Sequence, residues 1–356
     1  MTPEVGRITP RQLVEGHAGR PLLSAGGTHL DDPMLVVDLD DEPDEALAAA
    51  AIAQIALTDR LLVGFRTRAG MPPGAALLAS ALDTTVGGMD LAAVRSVVPA
   101  NDPQASLDQL HAEVLANPHA AVILGQVLKA SEPLSVPAAI DVESLAYSTL
   151  LGAPGFRHWL EKRGPRPLPP LSPQEPVLMR REDNELFVTL NRPERRNAYG
   201  TEVRDGLVAA LQLAELDDTI ERVVLDGSGP SFCAGGDLDE FGTTPDLATA
   251  HLIRTRAGAG RLAHRVSDRL EVRVHGSCVG AGIEVPAFAG RIVAHPDTVF
   301  RLPEVGMGLI PGAGGTVSVP RRIGRHRAFE LCATGRAVDA RTALEWGLVD
   351  DVTTGS

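Results

Sequence analysis

Arg301-Leu-Pro-Glu304-Val-Gly-Met-Gly-Leu-Ile-Pro-Gly-Ala-Gly-Gly-Thr316 sets a carboxylate in a glycine-rich run. Upstream, Gly276-Ser-Cys-Val-Gly-Ala-Gly-Ile-Glu284 ends on a second carboxylate, and Ser231-Phe-Cys-Ala-Gly-Gly-Asp237 forms an earlier glycine turn. Turns that open helices leave backbone N–H groups without intrahelical partners, and two of them can aim at one oxyanion. Two carboxylates beside that point can move protons in opposite senses. The pattern points to an enzyme.

Working outward, 356 residues allow two domains, and a 44% apolar composition can bury a substantial core. Aromatics make up only 3%, so that core is built from Ala, Val, Leu and Ile. A net charge of −13 argues against a nucleic-acid partner, which needs a basic face. Cys233, Cys278 and Cys332 lack CxxC spacing and read as reduced thiols, neither a disulfide framework nor a zinc site. His251, His264 and His275 show no metal-ligand spacing, so no metal is expected. The N-terminal residues carry no apolar run like that of a secretory signal, and no stretch reaches the length of a membrane helix. A cytoplasmic protein is expected.

The clearest boundary is Gly164-Pro-Arg-Pro-Leu-Pro-Pro-Leu-Ser-Pro-Gln-Glu-Pro176, whose prolines favour a stiff extended connector. It separates an N-terminal α/β unit, 1–163, from a second unit, 177–356. The second reads as strands at 186–190, 222–226 and 270–274, with helices over 201–216, 246–267 and 281–289. Short apolar strands joined by helices predict a layered parallel α/β domain. The first unit repeats the order: strands at 34–37 and 61–65, helices at 44–57, 75–81 and 106–130, a strand at 136–140 and a last helix to 161. We expect an internal duplication, the first copy a degenerate one without the chemistry.

The second unit resembles the crotonase family, the enoyl-CoA hydratases and isomerases, from about 184 to 351. Besides the three runs above, Leu190-Asn-Arg-Pro-Glu-Arg-Arg-Asn-Ala198 carries the likeness, and the four occur in the family's order. The resemblance implies a crotonase-like ββα spiral of layered parallel sheets with helices. It implies catalysis by Glu284 and Glu304, which hold and deprotonate a shared water and deliver a proton during hydration of a 2-enoyl-CoA. It also implies an oxyanion hole formed by the N–H groups of Gly236 and Ala281. Arg196, Ala198, Ala234, Gly235 and Asp237 fall where the family contacts coenzyme A. The partner implied is an acyl-CoA thioester, with coenzyme A as part of the substrate and no tightly bound cofactor. A trimer-based homo-oligomer is expected by the same resemblance. Alternatives with the same oxyanion hole are thioester hydrolysis, isomerisation, decarboxylation, C–C cleavage or a non-catalytic acyl-CoA-binding subunit.

Four features depart from the family pattern or extend it. The chain ends at Ser356, where family members usually continue through pocket-closing helices, and the first unit is expected to cover the surface this leaves. Pro286 is expected to disturb the helix carrying Glu284. Arg273 and His275 stand where small apolar residues and Asn are usual, and Arg273 needs a partner. Arg254 and Arg256, on the helix bordering the acyl pocket, are candidates to recognise a second carboxylate on the acyl group.

Overall fold

The computed structural model describes residues 5–24, 26–27 and 29–353. Its first half builds a five-stranded, all-parallel sheet in chain order: β1 Arg7–Ile8, β2 Met34–Asp38, β3 Leu61–Arg66, β4 Thr84–Gly88 and β5 Val98–Ala100. Successive side chains of a strand point to opposite faces. Accordingly Leu35, Val37 and Leu62 bury against α1 Pro10–Val14, α2 Glu45–Ile55 and α3 Pro73–Ala81. Met34, Val36, Leu61, Val63 and Phe65 point into a larger core on the other face. Burial on both faces explains why these strands read as unbroken apolar runs.

Four helices follow: α4 Pro103–Ala116, α5 Pro118–Ser131, α6 Val136–Leu151 and α7 Pro154–Arg163. Two expectations are corrected here. The continuous helix expected over 106–130 breaks at Asn117-Pro118, because Pro118 lacks an N–H and restricts the residue before it. The strand expected at 136–140 is the first turn of α6, started by Pro137 in its opening turn. Its apolar residues, Val136, Ala139, Ile140, Tyr147 and Leu150, recur at helical spacing and form one buried stripe. Residues 164–176 form no helix or strand. Arg192 holds the Pro170 carbonyl at 3.1 Å.

The second half carries a six-stranded sheet in the order β14-β11-β9-β8-β7-β6. These strands are β6 Val177–Glu182, β7 Glu185–Leu190, β8 Arg222–Gly227, β9 Leu270–Val274, β11 Arg291–Ala294 and β14 Asp351–Val352. Only the β6–β7 pair is antiparallel. A three-stranded sheet joins β10 Ser277–Val279, β12 Val299–Arg301 and β13 Val338–Asp339. The helices are α8 Thr201–Leu216, α9 Leu247–Arg256, α10 Gly260–Arg265, α11 Ala281–Glu284, α12 Gly315–Ile323, α13 Arg325–Thr334 and α14 Ala340–Trp346.

The helix expected over 246–267 is two, α9 and α10, interrupted at 257–259. The helix expected over 281–289 ends at Glu284, and Pro286 starts a short 3-10 turn, Pro286–Phe288. Pro286 therefore ends α11 instead of bending it. Arg273 finds Glu271 at 2.8 Å, and His275 Nε2 hydrogen-bonds the Gly229 carbonyl at 2.9 Å.

One hydrophobic cluster runs from Met34 on β2 to Val349 near the C-terminus, with α5 and α6 packed on α12. That contact brings a helix of the first half to the chemistry-bearing turns of the second.

Candidate active site

Backbone pairing assembles the site. Val279 N donates to the Cys233 carbonyl at 3.0 Å, and Cys233 N to that of Ser277 at 3.2 Å. The turn at 231–237 is thereby stitched to β10 and the glycine turn after it. Gly280 N donates to the Arg301 carbonyl at 2.9 Å, so β12 delivers Glu304 beside Gly280. Gly280 has φ +50°, and a β carbon there would lie 2.5 Å from Glu304 Oε1 and 3.6 Å from Glu284 Oε1. A methyl there would crowd Glu304 while meeting Glu284 only at ordinary contact distance, and the positive φ favours glycine as well.

Gly236, Ala281, Glu284 and Glu304 all line one cavity of about 220 Å³. Neither the Gly236 nor the Ala281 N–H has an acceptor among the described residues. The sequence-selected catalytic residues thus converge. Arg196, Ala198, Ala234, Gly235 and Asp237 do not line this cavity. Asp237 is buried and held by Arg195 at 2.6 and 2.8 Å, while Arg196 is exposed.

Part of the cavity's wall comes from α6, through Ile140, Glu143, Ser144 and Tyr147. Glu143 is a carboxylate that the sequence reading missed. It is 1% exposed; its Oε1 accepts from Gly314 N at 2.8 Å, and its Oε2 from Thr316 N at 2.8 Å and Thr316 Oγ1 at 2.7 Å. Glu284 Oε2 accepts from Ala313 N at 2.7 Å and Gly315 N at 2.9 Å. Both carboxyls sit at the amino end of α12, where unpaired N–H groups and the helix dipole favour negative charge. Glu304 differs: its Oε2 is sealed from solvent and has no hydrogen-bond partner among the described residues.

Burial shifts all three carboxyls upward. It raises Glu304 well above the carboxylate range, and repulsion from Glu284 and then Glu143 adds to the effect. Burial, then repulsion from Glu284, raises Glu143. Burial raises Glu284 as well, and the donors on its oxygen pull it back. Buried carboxyls that repel one another retain protons near neutrality, which equips them as acid and base. Burial also raises the Tyr147 phenol, which keeps its proton. The described residues contain no cluster of His, Cys, Asp or Glu arranged to hold a metal ion.

A signal for Glu143 was present. Read as a helix, 136–150 places Glu143 as the one acid on a buried side otherwise made of apolar residues and two serines, Ser144 and Ser148. Reading 136–140 as a strand hid the pattern, and the first half, expected to lack the chemistry, places this carboxyl in the wall of the cavity.

The profile described as Enoyl-CoA hydratase/isomerase matches residues 180–355. YngF of Bacillus subtilis strain 168, described as an enoyl-CoA hydratase/isomerase, is 37% identical over 177 residues, covering 49% of this chain and 67% of its own. The chain belongs to the enoyl-CoA hydratase/isomerase, or crotonase, family. Two Escherichia coli K12 members of that family lie close by. The 2,3-dehydroadipyl-CoA hydratase is 35% identical over 49% of this chain and 68% of its own. The 1,2-epoxyphenylacetyl-CoA isomerase is 36% identical over the same shares. The crotonase profile begins at residue 180, so α6 and its Glu143 fall outside it. Among the described residues, no helix is long and apolar enough to cross a membrane.

Proposed function

We propose that this crotonase-family enzyme hydrates a 2-enoyl-CoA thioester. The reading rests on one observation: two carboxylate oxygens flank the same point at Gly280, beside the acceptor-free N–H groups of Gly236 and Ala281. A substrate carbonyl oxygen seated between those N–H groups places C2 and C3 of the enoyl group near Glu284 and Glu304. One ionised carboxylate takes a proton from water as the oxygen bonds to C3. The C2–C3 π electrons move toward the thioester, and the two N–H groups stabilise the resulting enolate oxygen. The protonated carboxyl then delivers its proton to C2, so one water is added and no co-reactant is needed. A donor of this kind typically contributes about 3–4 kcal/mol to the barrier. Positioned acid–base groups contribute roughly a hundred- to ten-thousandfold.

The adenine end of coenzyme A is assigned to the backbone around Ala198, Ala234 and Gly235, with exposed Arg196 available to a phosphate. Asp237 takes a supporting role through Arg195, not a direct one.

The test is a spectrophotometric screen of crotonyl-CoA and longer, branched and aromatic 2-enoyl-CoAs, with free thiol followed in parallel. Loss of the enoyl band without thiol supports hydration. Thiol release moves the assignment to thioester hydrolysis, and silence in both channels overturns the hydratase reading for these acyl groups.

A further inference from the structure

Three arginines line the cavity: Arg204, Arg254 and Arg261. Arg204 pairs with Asp205 at 2.7 Å, and Arg261 with Asp141 at 2.6 Å. Arg256, exposed on the same helix as Arg254, also pairs with Asp141. Arg254 has no carboxylate within ion-pair distance among the described residues. Its contacts are neutral: Nε donates to Ser144 Oγ at 3.0 Å, and Nη2 to the Ser144 carbonyl at 3.1 Å and to Ser148 Oγ. Its guanidinium carbon stands 4.4 Å from the centre of the Tyr147 ring. Nη1 has no acceptor in the described residues, yet it is not among the atoms sealed from solvent.

A guanidinium taken largely out of water, with one donor edge unused, is costly unless an oxygen completes it. Burial lowers the Arg254 pKa, which records that cost. The seat itself is fixed: Ser144 Oγ, which accepts from Arg254, lies 3.0 Å from His251 Nδ1, and Tyr147 packs over Gly312. This arginine is held like a docking group, one face on an aromatic ring and one edge toward the cavity.

We propose that Arg254 is a specificity-determining residue, selecting an acyl group that carries an oxygen acceptor, a carboxylate or a hydroxyl, at the end remote from the thioester. The inference rests on the acyl-CoA reading above. Gly236, Ala281, Arg254 and the α6 residues line one cavity, so an acyl group whose thioester oxygen meets the N–H pair shares that cavity with Arg254. Hydrogen bonds to a charged group of this kind change affinity by about ten- to a hundredfold.

The test is equilibrium binding of saturated, unreactive thioesters in two matched pairs: adipyl-CoA against hexanoyl-CoA, and hydroxyphenylacetyl-CoA against phenylacetyl-CoA. The wild-type protein is expected to prefer the oxygen-bearing member of at least one pair by about tenfold or more. The pair that shows the preference tells carboxylate from hydroxyl. Arg254→Met is expected to abolish the preference while leaving the apolar member within about threefold of wild type, and Arg254→Lys to retain part of it for the carboxylate. Binding of all four esters without preference within either pair overturns this inference and leaves the acyl-CoA reading intact. Equal loss for both members in Arg254→Met also overturns it, by assigning Arg254 to helix packing. Failure of all four to bind overturns the acyl-CoA reading and this inference together.

Discussion

Glu143 and Glu284 hold alternate amides of one turn: Glu284 takes Ala313 and Gly315, and Glu143 takes Gly314 and Thr316. The two carboxylates come from opposite halves of the chain and clasp the start of α12 from either side. Four consecutive N–H groups, from Ala313 to Thr316 at the entry to α12, are satisfied by two side chains.

Glu143→Gln is expected to cost about 1–3 kcal/mol in urea unfolding, because an amide NH2 would meet a backbone donor where an oxygen now accepts. It also removes a negative neighbour that helps raise Glu304. The alkaline limb of the activity profile, where Glu304 gives up its proton, should therefore move to lower pH. A stability loss without that shift would make Glu143 an anchor only.

Glu304→Gln and Glu284→Gln are each expected to lower kcat by about a hundredfold or more while ligand binding persists. A wild-type rate in either variant would sink the two-carboxylate mechanism.

The pH dependence of stability follows from the raised carboxyls. Protons are bound more tightly in the folded state than in the unfolded one, where the ordinary value is 4.5. The stability from this trio is fully present below that value and is lost as pH rises through the raised values. Glu304→Gln should flatten the loss and, at alkaline pH, unfold at a higher temperature than wild type. Parallel melting curves for the two proteins from pH 4 to pH 9 would contradict this.

Gly280→Ala places a methyl at φ +50°, 2.5 Å from Glu304 Oε1. Backbone strain of about 1–2 kcal/mol and displacement of Glu304 are both expected. Turnover should fall by about a hundredfold, as small misplacements do. Calorimetry and initial rates together measure the two effects.

Arg195 and Arg196 are adjacent but should answer differently. Arg195→Ala leaves buried Asp237 without its partner and should cost about 1.5–3 kcal/mol. Arg196→Ala, at an exposed site, should change stability by less than about 0.5 kcal/mol and raise KM for the thioester. The reverse outcome would reassign both residues.

The glycine turns were legible in the sequence because glycines at fixed offsets from Glu284 and Glu304 mark local backbone geometry. The pairing of Cys233 with Ser277 and Val279, and of Gly280 with Arg301, which joins those turns, was not. Strands Met34–Asp38 and Leu61–Arg66 were legible as well, since burial on both faces leaves an unbroken apolar run. Strands Thr84–Gly88 and Val98–Ala100 were not, being short and rich in Thr, Gly and Pro; their place comes from pairing with β3 and β4. Val136 to Ile140 misled because a short apolar run suits either strand or helix. Glu143 was lost with it. Its role depends on where α6 docks, a long-range fact that local periodicity does not carry.

Because α6 supplies part of the cavity wall while the glycine turns carry Gly236, Ala281, Glu284 and Glu304, that part of the wall and these four residues are encoded in separate, distant stretches of the gene. Variation confined to codons 140, 144 and 147 would remodel the substrate wall without touching Gly236, Ala281, Glu284 or Glu304. For directed evolution this division is practical. A library at three positions on one helix explores new acyl groups, with Glu143 kept constant as the clasp that returns the helix to its seat.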